Sequence, residues 1–408
     1  MRYALLGEKL GHSLSPQLHR LLGECEYELL EVKPSQISDT LHDTHYDGFN
    51  LTIPYKKTVL PLLDEVDEKA CLIGSVNTVV RQPDGKLKGY NTDYYGLCRL
   101  MEQIDLSFAK QKVLVLGSGG TSATACAVLD DLHAKPIVIS RSGKNNYQNL
   151  KNHADAFAIV NTTPVGMFPN CDHNPVDLRM FPSLQAVIDV VYNPLKTRFV
   201  MQAEALGIKA VGGLPMLVRQ AVYARCLWEN CASNDFPEAK VLSALTLESQ
   251  NIVMIGMPGC GKTTIGRMIA KKLERPFIDL DEWIIEKTGC SIERIFAEKG
   301  EAGFRQVEKE ITAESSLLRG AVISTGGGTL LDAENSMRLK QNGYFIWIQR
   351  PIEALSSAGR PISQKTGLQL LWEQRKPIYE SVCDATVKNE DTLERCCMEA
   401  IAKWKNQA

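Results

Sequence analysis

The chain has 408 residues, 44% of them apolar and 23% charged, a globular composition too long for one ordinary domain. With 46 Lys and Arg against 48 Asp and Glu, the net charge of −2 excludes a global basic field for nucleic acid. Apolar runs no longer than a strand exclude a membrane span, and 12 scattered cysteines without a CxxC pair fit a reducing compartment.

Strand-like and helix-like stretches alternate along the chain, so an α/β architecture is expected. Arg2–Gly7 reads as a strand, reached through charge too early for a secretory signal. A helix starting at Pro16 follows His12-Ser13-Leu14-Ser15, where Ser15 reads as an ordinary N-cap before a proline at N1. Asn50-Leu51-Thr52-Ile53-Pro54-Tyr55-Lys56 ends a strand and opens a helix, with Lys56 in its first turn. A cation there opposes the helix dipole at a cost of up to about 1 kcal/mol, which points to another use. Pro83-Asp84-Gly85 reads as a hairpin turn, and Asn77-Thr78 and Tyr90-Asn91-Thr92-Asp93 are polar strand ends.

Val113-Leu114-Val115-Leu116-Gly117-Ser118-Gly119-Gly120 is a buried strand running into a glycine turn and a helix, the form that lets backbone N–H groups meet a pyrophosphate. The next strand, Ile137-Val138-Ile139, ends in Ser140-Arg141-Ser142-Gly143-Lys144, without the acid that would hold a ribose 2′-OH. Arg141 and Lys144 suit a 2′-phosphate, so NADP is favoured. A helix from about Pro215 to Trp228 and a shorter one lead to a short connection at Glu248-Ser249-Gln250. Expected domains are 1–248, with a substrate subdomain at about 1–100 plus 214–248 and a nucleotide subdomain at about 101–213, and then 249–408.

Gly256-Met257-Pro258-Gly259-Cys260-Gly261-Lys262-Thr263 satisfies GxxxxGK[ST] between a strand and a helix. Its N–H groups, with Thr264 beyond, would cradle ATP phosphates, Lys262 would reach the β and γ oxygens, and Thr263 would bind Mg²⁺. Asp279 and Asp281 follow the strand Pro276-Phe277-Ile278 and would point to one side if it persists, with Asp281 also readable as an N-cap. All seven histidines precede residue 174, so this later half has no histidine base.

The first half resembles shikimate dehydrogenase in these motifs and in Asn161-Thr162-Thr163-Pro164-Val165-Gly166-Met167, Asp189-Val190-Val191-Tyr192-Asn193-Pro194 and Gly213-Leu214-Pro215-Met216-Leu217-Val218-Arg219-Gln220. The resemblance implies a two-subdomain enzyme with a Rossmann-like NADP domain. Ser13, Ser15, Thr52, Asn77, Asp93, Tyr192 and Gln220 would hold shikimate, with Lys56 and Asp93 as the acid–base pair. Gly117, Ser118, Gly119, Gly120, Thr121, Ser140, Arg141, Ser142 and Gly213 would meet NADP(H). The stretch from Ser140 to Asn161 departs from the family's pattern and is about ten residues shorter, so a strand–helix unit is expected to be trimmed.

The second half resembles shikimate kinase through its phosphate loop, Gly300-Glu301-Ala302-Gly303-Phe304-Arg305, Thr325-Gly326-Gly327-Gly328, Gly359-Arg360-Pro361 and Arg375-Lys376-Pro377-Ile378-Tyr379. That likeness implies a P-loop domain with a parallel sheet, in which Asp279 joins Thr263 in placing Mg²⁺ and Asp281, Arg305, Gly327 and Arg375 bind shikimate. Asp281 would orient the attacking hydroxyl, and Arg360 would reach the transferring phosphate from a lid. A bifunctional cytoplasmic enzyme is expected, making shikimate from 3-dehydroshikimate and then phosphorylating it, with no nucleic-acid or membrane partner. The alternatives are a quinate/shikimate dehydrogenase using NAD fused to the kinase, and a catalytically inactive ligand sensor.

Overall fold

A computed structural model describes residues 1–11, 13–355 and 367–407. The chain divides into two compact units, Met1–Leu245 and Thr246–Ala408. The division falls inside a helix, Glu238–Ser249, rather than in the loop at Glu248–Gln250. Val241 and Leu245 of that helix are buried in the first unit's core, and Leu247 packs on the second unit's core.

In the first unit a mixed six-stranded sheet comprises β1 (Arg2–Gly7), β2 (Glu26–Glu31), β3 (Gly48–Leu51), β4 (Glu65–Val66), β5 (Thr78–Arg81) and β6 (Leu87–Tyr90). Its order is β2-β1-β3-β5-β6-β4, with β1 parallel to both neighbours and β5–β6 forming the antiparallel hairpin. The hairpin turn needs Gly85, whose φ is 87°.

A second, all-parallel sheet comprises β7 (Lys112–Leu116), β8 (Lys135–Ile139), β9 (Ala158–Asn161), β10 (Ala186–Asp189) and β11 (Lys209–Val211), in the order β11-β10-β9-β7-β8. Helices Asp93–Ile104 and Gly120–Asp131 bury Leu97, Leu100, Ala125 and Val128 against one face. The other face is covered differently. Leu114, Leu116, Ile159 and Val187 meet Phe199 and Ala203 of the short helix Arg198–Ala205, and Leu150, Val176, Leu178 and Phe181, which lie in irregular chain and 3₁₀ turns. The expected trimming is seen: β8 is an edge strand, and only the 3₁₀ turn Leu150–His153 stands between it and β9, so among the described residues both the strand that the doubly wound order places beyond β8 and its helix are lacking. The side chains of Asn146 and Asn149 donate to the carbonyls of Gly143 and Lys144, local bonds that compete with a helical ladder.

The second unit is built on a five-stranded parallel sheet of β12 (Asn251–Ile255), β13 (Phe277–Asp279), β14 (Val322–Ser324), β15 (Gly343–Gln349) and β16 (Ala385–Lys388), in the order β13-β14-β12-β15-β16. Central β12 is paired on both edges and all its residues are buried, which is why it reads as an unbroken apolar run. Its C-terminal end delivers the phosphate loop to helix Lys262–Leu273. Helix Ile292–Ser316 is interrupted at Gly300, whose φ of 67° only glycine adopts readily. No helix among the described residues is long and apolar enough to cross a membrane.

Candidate active sites

In the first unit, polar residues at strand ends converge from separate elements. The Lys56 amine donates to Asp93 Oδ2 at 2.6 Å, and the side chains are 18% and 8% exposed. Lys56 lies in the short helix Tyr55–Thr58, and its carbonyl accepts from Val76 N–H at 2.8 Å, which ties it to the start of β5. Asp93 opens helix Asp93–Ile104, where a carboxylate suits the dipole. Its second oxygen accepts from Asn77 Nδ2 at 2.9 Å.

Ser15 is not the N-cap expected from the sequence. Helix Ser15–Leu22 starts at Ser15 itself and has no side-chain cap, and the Ser13 hydroxyl donates to Ser15 Oγ at 3.1 Å. Pro16 presets the first turn, and Ser13 Oγ also accepts the Ser15 N–H at 3.2 Å, so Ser13 and not Ser15 lends an oxygen to the helix start. Tyr192 packs on the Leu14 and Leu214 cluster, and the buried Gln220 donates to Leu217 O at 2.9 Å. Thr52 is partly exposed just past the end of β3. His12 lies outside the described residues.

The glycine loop meets this cluster directly. A methyl group on Gly120 would stand 2.8 Å from Ser75 Oγ and 3.6 Å from Lys56 Cβ. Gly117, at φ 110°, donates to Ile139 O at 2.9 Å and comes so close to Thr162 that a side chain would not fit. Gly119 faces open space, and Ser118 is exposed while Thr121 is partly so. Open backbone at a helix N-terminus is the donor set a dinucleotide pyrophosphate requires. Ser140, Arg141 and Ser142 follow β8, with Arg141 and Ser142 exposed. Gly213 has a packing reason of its own, since a Cβ there would run into the Val190 carbonyl.

In the second unit one cleft of about 920 Å³ is lined by Gly259, Gly261, Lys262, Thr263, Thr264, Asp281, Phe296, Arg305, Glu308, Gly327 and Arg375. Lys262 is buried, and its amine donates to the carbonyls of Gly256 and Met257 at 3.0 Å each. Asn389 Nδ2 donates to Cys260 O at 2.8 Å, and the Cys260 thiol is buried under the loop. The Thr263 hydroxyl donates to Asp279 Oδ2 at 2.7 Å, a hydroxyl–carboxylate pair suited to a hard divalent cation.

The strand does not persist through both aspartates, so their directions are set by a helix start and not by strand alternation. The strand stops at Asp279, whose Oδ1 caps helix Leu280–Thr288 by accepting from the N–H groups of Asp281 and Glu282. The N-cap is thus Asp279, and Asp281 in the first turn turns toward the glycine loop, 2.9 Å from where a Cβ of Gly326 would be. Neighbouring glycines are shaped by the same site. A Cβ on Gly327 would meet Arg375 Nη1 at 3.0 Å, and one on Gly328 would meet Arg305 Nη2 at 2.7 Å.

Arg375 is buried with its Nε unpaired among the described residues, and burial pulls its guanidinium below the usual range. Glu308 is a residue the sequence reading missed. It is 2% exposed and accepts from Arg305 Nη1 at 2.6 Å and from Thr329 Oγ1 at 2.8 Å. Its signal was available, because three residues separate it from Arg305 on one helical face. Arg360 lies outside the described residues.

Comparison with known proteins agrees with both halves. Residues 5–79 match the family described as the shikimate dehydrogenase substrate binding domain, and residues 258–405 match shikimate kinase. The chain is 36% identical over 265 residues to the shikimate dehydrogenase (NADP(+)) of Clostridium perfringens, spanning 60% of this chain and 97% of that protein. Shikimate dehydrogenase 1 from Peptoclostridium difficile superposes with a TM-score of 0.56 at 32% identity, over 61% of this chain and 99% of that one. The Thermus thermophilus shikimate 5-dehydrogenase, solved with NADP(H) and shikimate, gives a TM-score of 0.54 at 30% identity, over 60% and 99%. The chain belongs to the shikimate dehydrogenase family through its first unit and carries a shikimate kinase domain in its second, which makes it a bifunctional enzyme of the shikimate pathway.

Proposed function

We propose that the first unit reduces 3-dehydroshikimate to shikimate with NADPH, and that the second phosphorylates shikimate to shikimate 3-phosphate with ATP. The observation that carries the reduction is the Lys56–Asp93 pair, 2.6 Å apart and beside the glycine loop. NADPH, when bound, supplies the hydride. Lys56 delivers a proton to the oxygen of the developing alkoxide, and Asp93 holds the amine in line. Ser13 and Ser15 take the substrate carboxylate, while Thr52, Asn77, Asp93, Tyr192 and Gln220 take its hydroxyls. Gly117 to Thr121, Ser140 to Ser142 and Gly213 form the dinucleotide side, and Arg141 selects the 2′-phosphate.

In the second unit, Arg305 and Arg375 bind the carboxylate of shikimate beside Gly327, and Asp281 orients the attacking hydroxyl. Residues Gly259 to Thr264 hold the phosphates, with Lys262 and Arg360 countering charge on the group in flight. Thr263 and Asp279 would hold Mg²⁺, which supplies charge neutralisation when bound. By this reading the substrate lobe is residues 1–100 with 214–248, the NADP lobe 101–213, and the remainder the kinase.

The test is a coupled assay of the intact chain with 3-dehydroshikimate, NADPH and Mg-ATP, following shikimate and its 3-phosphate. NADPH should be oxidised in step with ketone loss, and the phosphate ester should form only with ATP. Failure to oxidise NADPH, or to phosphorylate added shikimate, removes the corresponding half of the reading.

A further inference from the structure

Behind the Lys56–Asp93 pair lies a second layer of buried polar groups. Thr78 and Thr92 are both fully buried, and Asn77 is 3% exposed. Strand register puts Asn50 opposite Thr78 on one side and Tyr90 opposite it on the other, so Thr78 sits mid-sheet. The Asn77 amide has a defined orientation. Its Oδ1 accepts the Thr92 N–H at 2.6 Å and lies 3.3 Å from the Thr78 hydroxyl, while its Nδ2 donates to Asp93 Oδ1 at 2.9 Å and to Thr92 Oγ1 at 3.1 Å. The Thr78 hydroxyl lies 3.0 Å from Thr92 Oγ1 and accepts from Asn50 Nδ2 at 3.1 Å. Asn50 in turn accepts from the Tyr27 hydroxyl at 2.8 Å.

An amide that must present N–H to Asp93 has to show its oxygen the other way, and only donors behind it enforce that choice. We propose that Thr78 is a positioning residue for the reduction: its hydroxyl closes the buried network that locks the Asn77 amide toward Asp93 and so holds the Lys56–Asp93 pair in line. Without that hydroxyl, Asn50 Nδ2 loses its nearest acceptor and Asn77 Oδ1 loses one of the donors that face it. The Asn50 amide, left with only the Asn77 carbonyl at 3.4 Å, then has reason to rotate, and the Asn77 amide is held by the Thr92 N–H and hydroxyl alone, with one donor fewer behind it. This inference rests on the assignment of Lys56 and Asp93 as the acid–base pair.

The experiment measures steady-state reduction of 3-dehydroshikimate by the full chain carrying Thr78→Val, Thr78→Ser or Thr78→Ala, with NADPH binding followed by fluorescence to establish that each variant is folded. Thr78→Val keeps the shape and should lower kcat by roughly tenfold or more, with KM for the ketone changed less than about threefold. Thr78→Ser keeps the hydroxyl and should stay within about twofold of the unaltered chain. If the valine variant does not fold, serine and alanine carry the test, since they differ by one oxygen. Unchanged kcat in Thr78→Val, or equal kcat in the serine and alanine variants, overturns the proposal. An unaltered chain that reduces no ketone would instead overturn the functional assignment.

Discussion

Arg141 stands exposed just past β8, and no carboxylate pairs with it among the described residues. A guanidinium so placed gains more from a charged 2′-phosphate, which it can meet bidentately, than from a bare ribose hydroxyl. Arg141→Ala is therefore expected to lower the ratio of kcat/KM for NADPH over NADH by about tenfold or more, given the roughly 1.5–3 kcal/mol of a charge-assisted hydrogen bond. Equal efficiency with both cofactors in the unaltered chain would refute the reasoning. Asp189 shows the opposite situation, a carboxyl with no solvent. Burial pushes it up to about 6, against hydrogen bonds from Thr197, the Val191 N–H and Asn161 that pull it down. The folded chain holds this proton more tightly than the unfolded one, so the group contributes most below about pH 4 and loses that contribution as pH rises through 6. Asp189→Asn should gain on the unaltered chain by about 2 kcal/mol between pH 4 and pH 7. Urea denaturation at both pH values measures this, and a difference independent of pH would contradict it.

At the scale of elements, two glycines of the kinase unit have different jobs. Gly300 breaks helix Ile292–Ser316 at φ 67°, yet nothing lies within 4 Å of a Cβ there. Gly300→Ala is expected to cost about 1–2 kcal/mol of stability through the backbone alone. Gly328 has no positive φ, but a Cβ there would press on the Arg305 guanidinium at 2.7 Å. Gly328→Ala should weaken shikimate binding and leave the unfolding midpoint of the domain within a degree or so. Isothermal titration with shikimate, paired with denaturation, separates the two effects, and equal stability loss in both variants would sink the distinction. The same contrast explains what the sequence made legible. The phosphate loop is a local pattern, read from consecutive residues between a strand and a helix. Caps are less secure, because Ser15 and Asp281 both look like N-caps by residue type while the helices start at Ser15 and after Asp279. Least legible is the buried layer formed by Asn50, Thr78 and Thr92, since their partners lie 14 to 28 residues away and depend on strand register. The strand–helix unit lacking between β8 and β9 was legible as a short stretch, because its loss shortens the chain locally.

For the whole molecule, the described contacts of the two key lysines stay within one unit each. Every described polar contact of Lys56 lies before Leu245, and every described contact of Lys262 lies after Thr246. Lys56→Ala should lower ketone reduction by about 10² to 10⁴-fold with phosphorylation unchanged, and Lys262→Ala should do the reverse by at least about 10²-fold. Separate spectrophotometric assays of the two variants check this. Loss of both activities from either change, in folded protein, would mean the sites are not independent.

The uneven cover of the parallel sheet in the first unit has a consequence for how the molecule can be cut. On one face the backbone is held in two long helices, and on the other the short helix Arg198–Ala205 shares the cover with the chain from Ser140 to Gln185, which runs largely without ladder bonds of its own around β9. Arg141, Lys144, Lys151 and Arg179 are exposed along it, so trypsin should nick here before it attacks the helical face. NADP(H) should shield Arg141 and Lys144 while leaving Arg179 open. The order in which these bonds are cleaved, with and without cofactor, would then act as a footprint of the dinucleotide read from fragment masses.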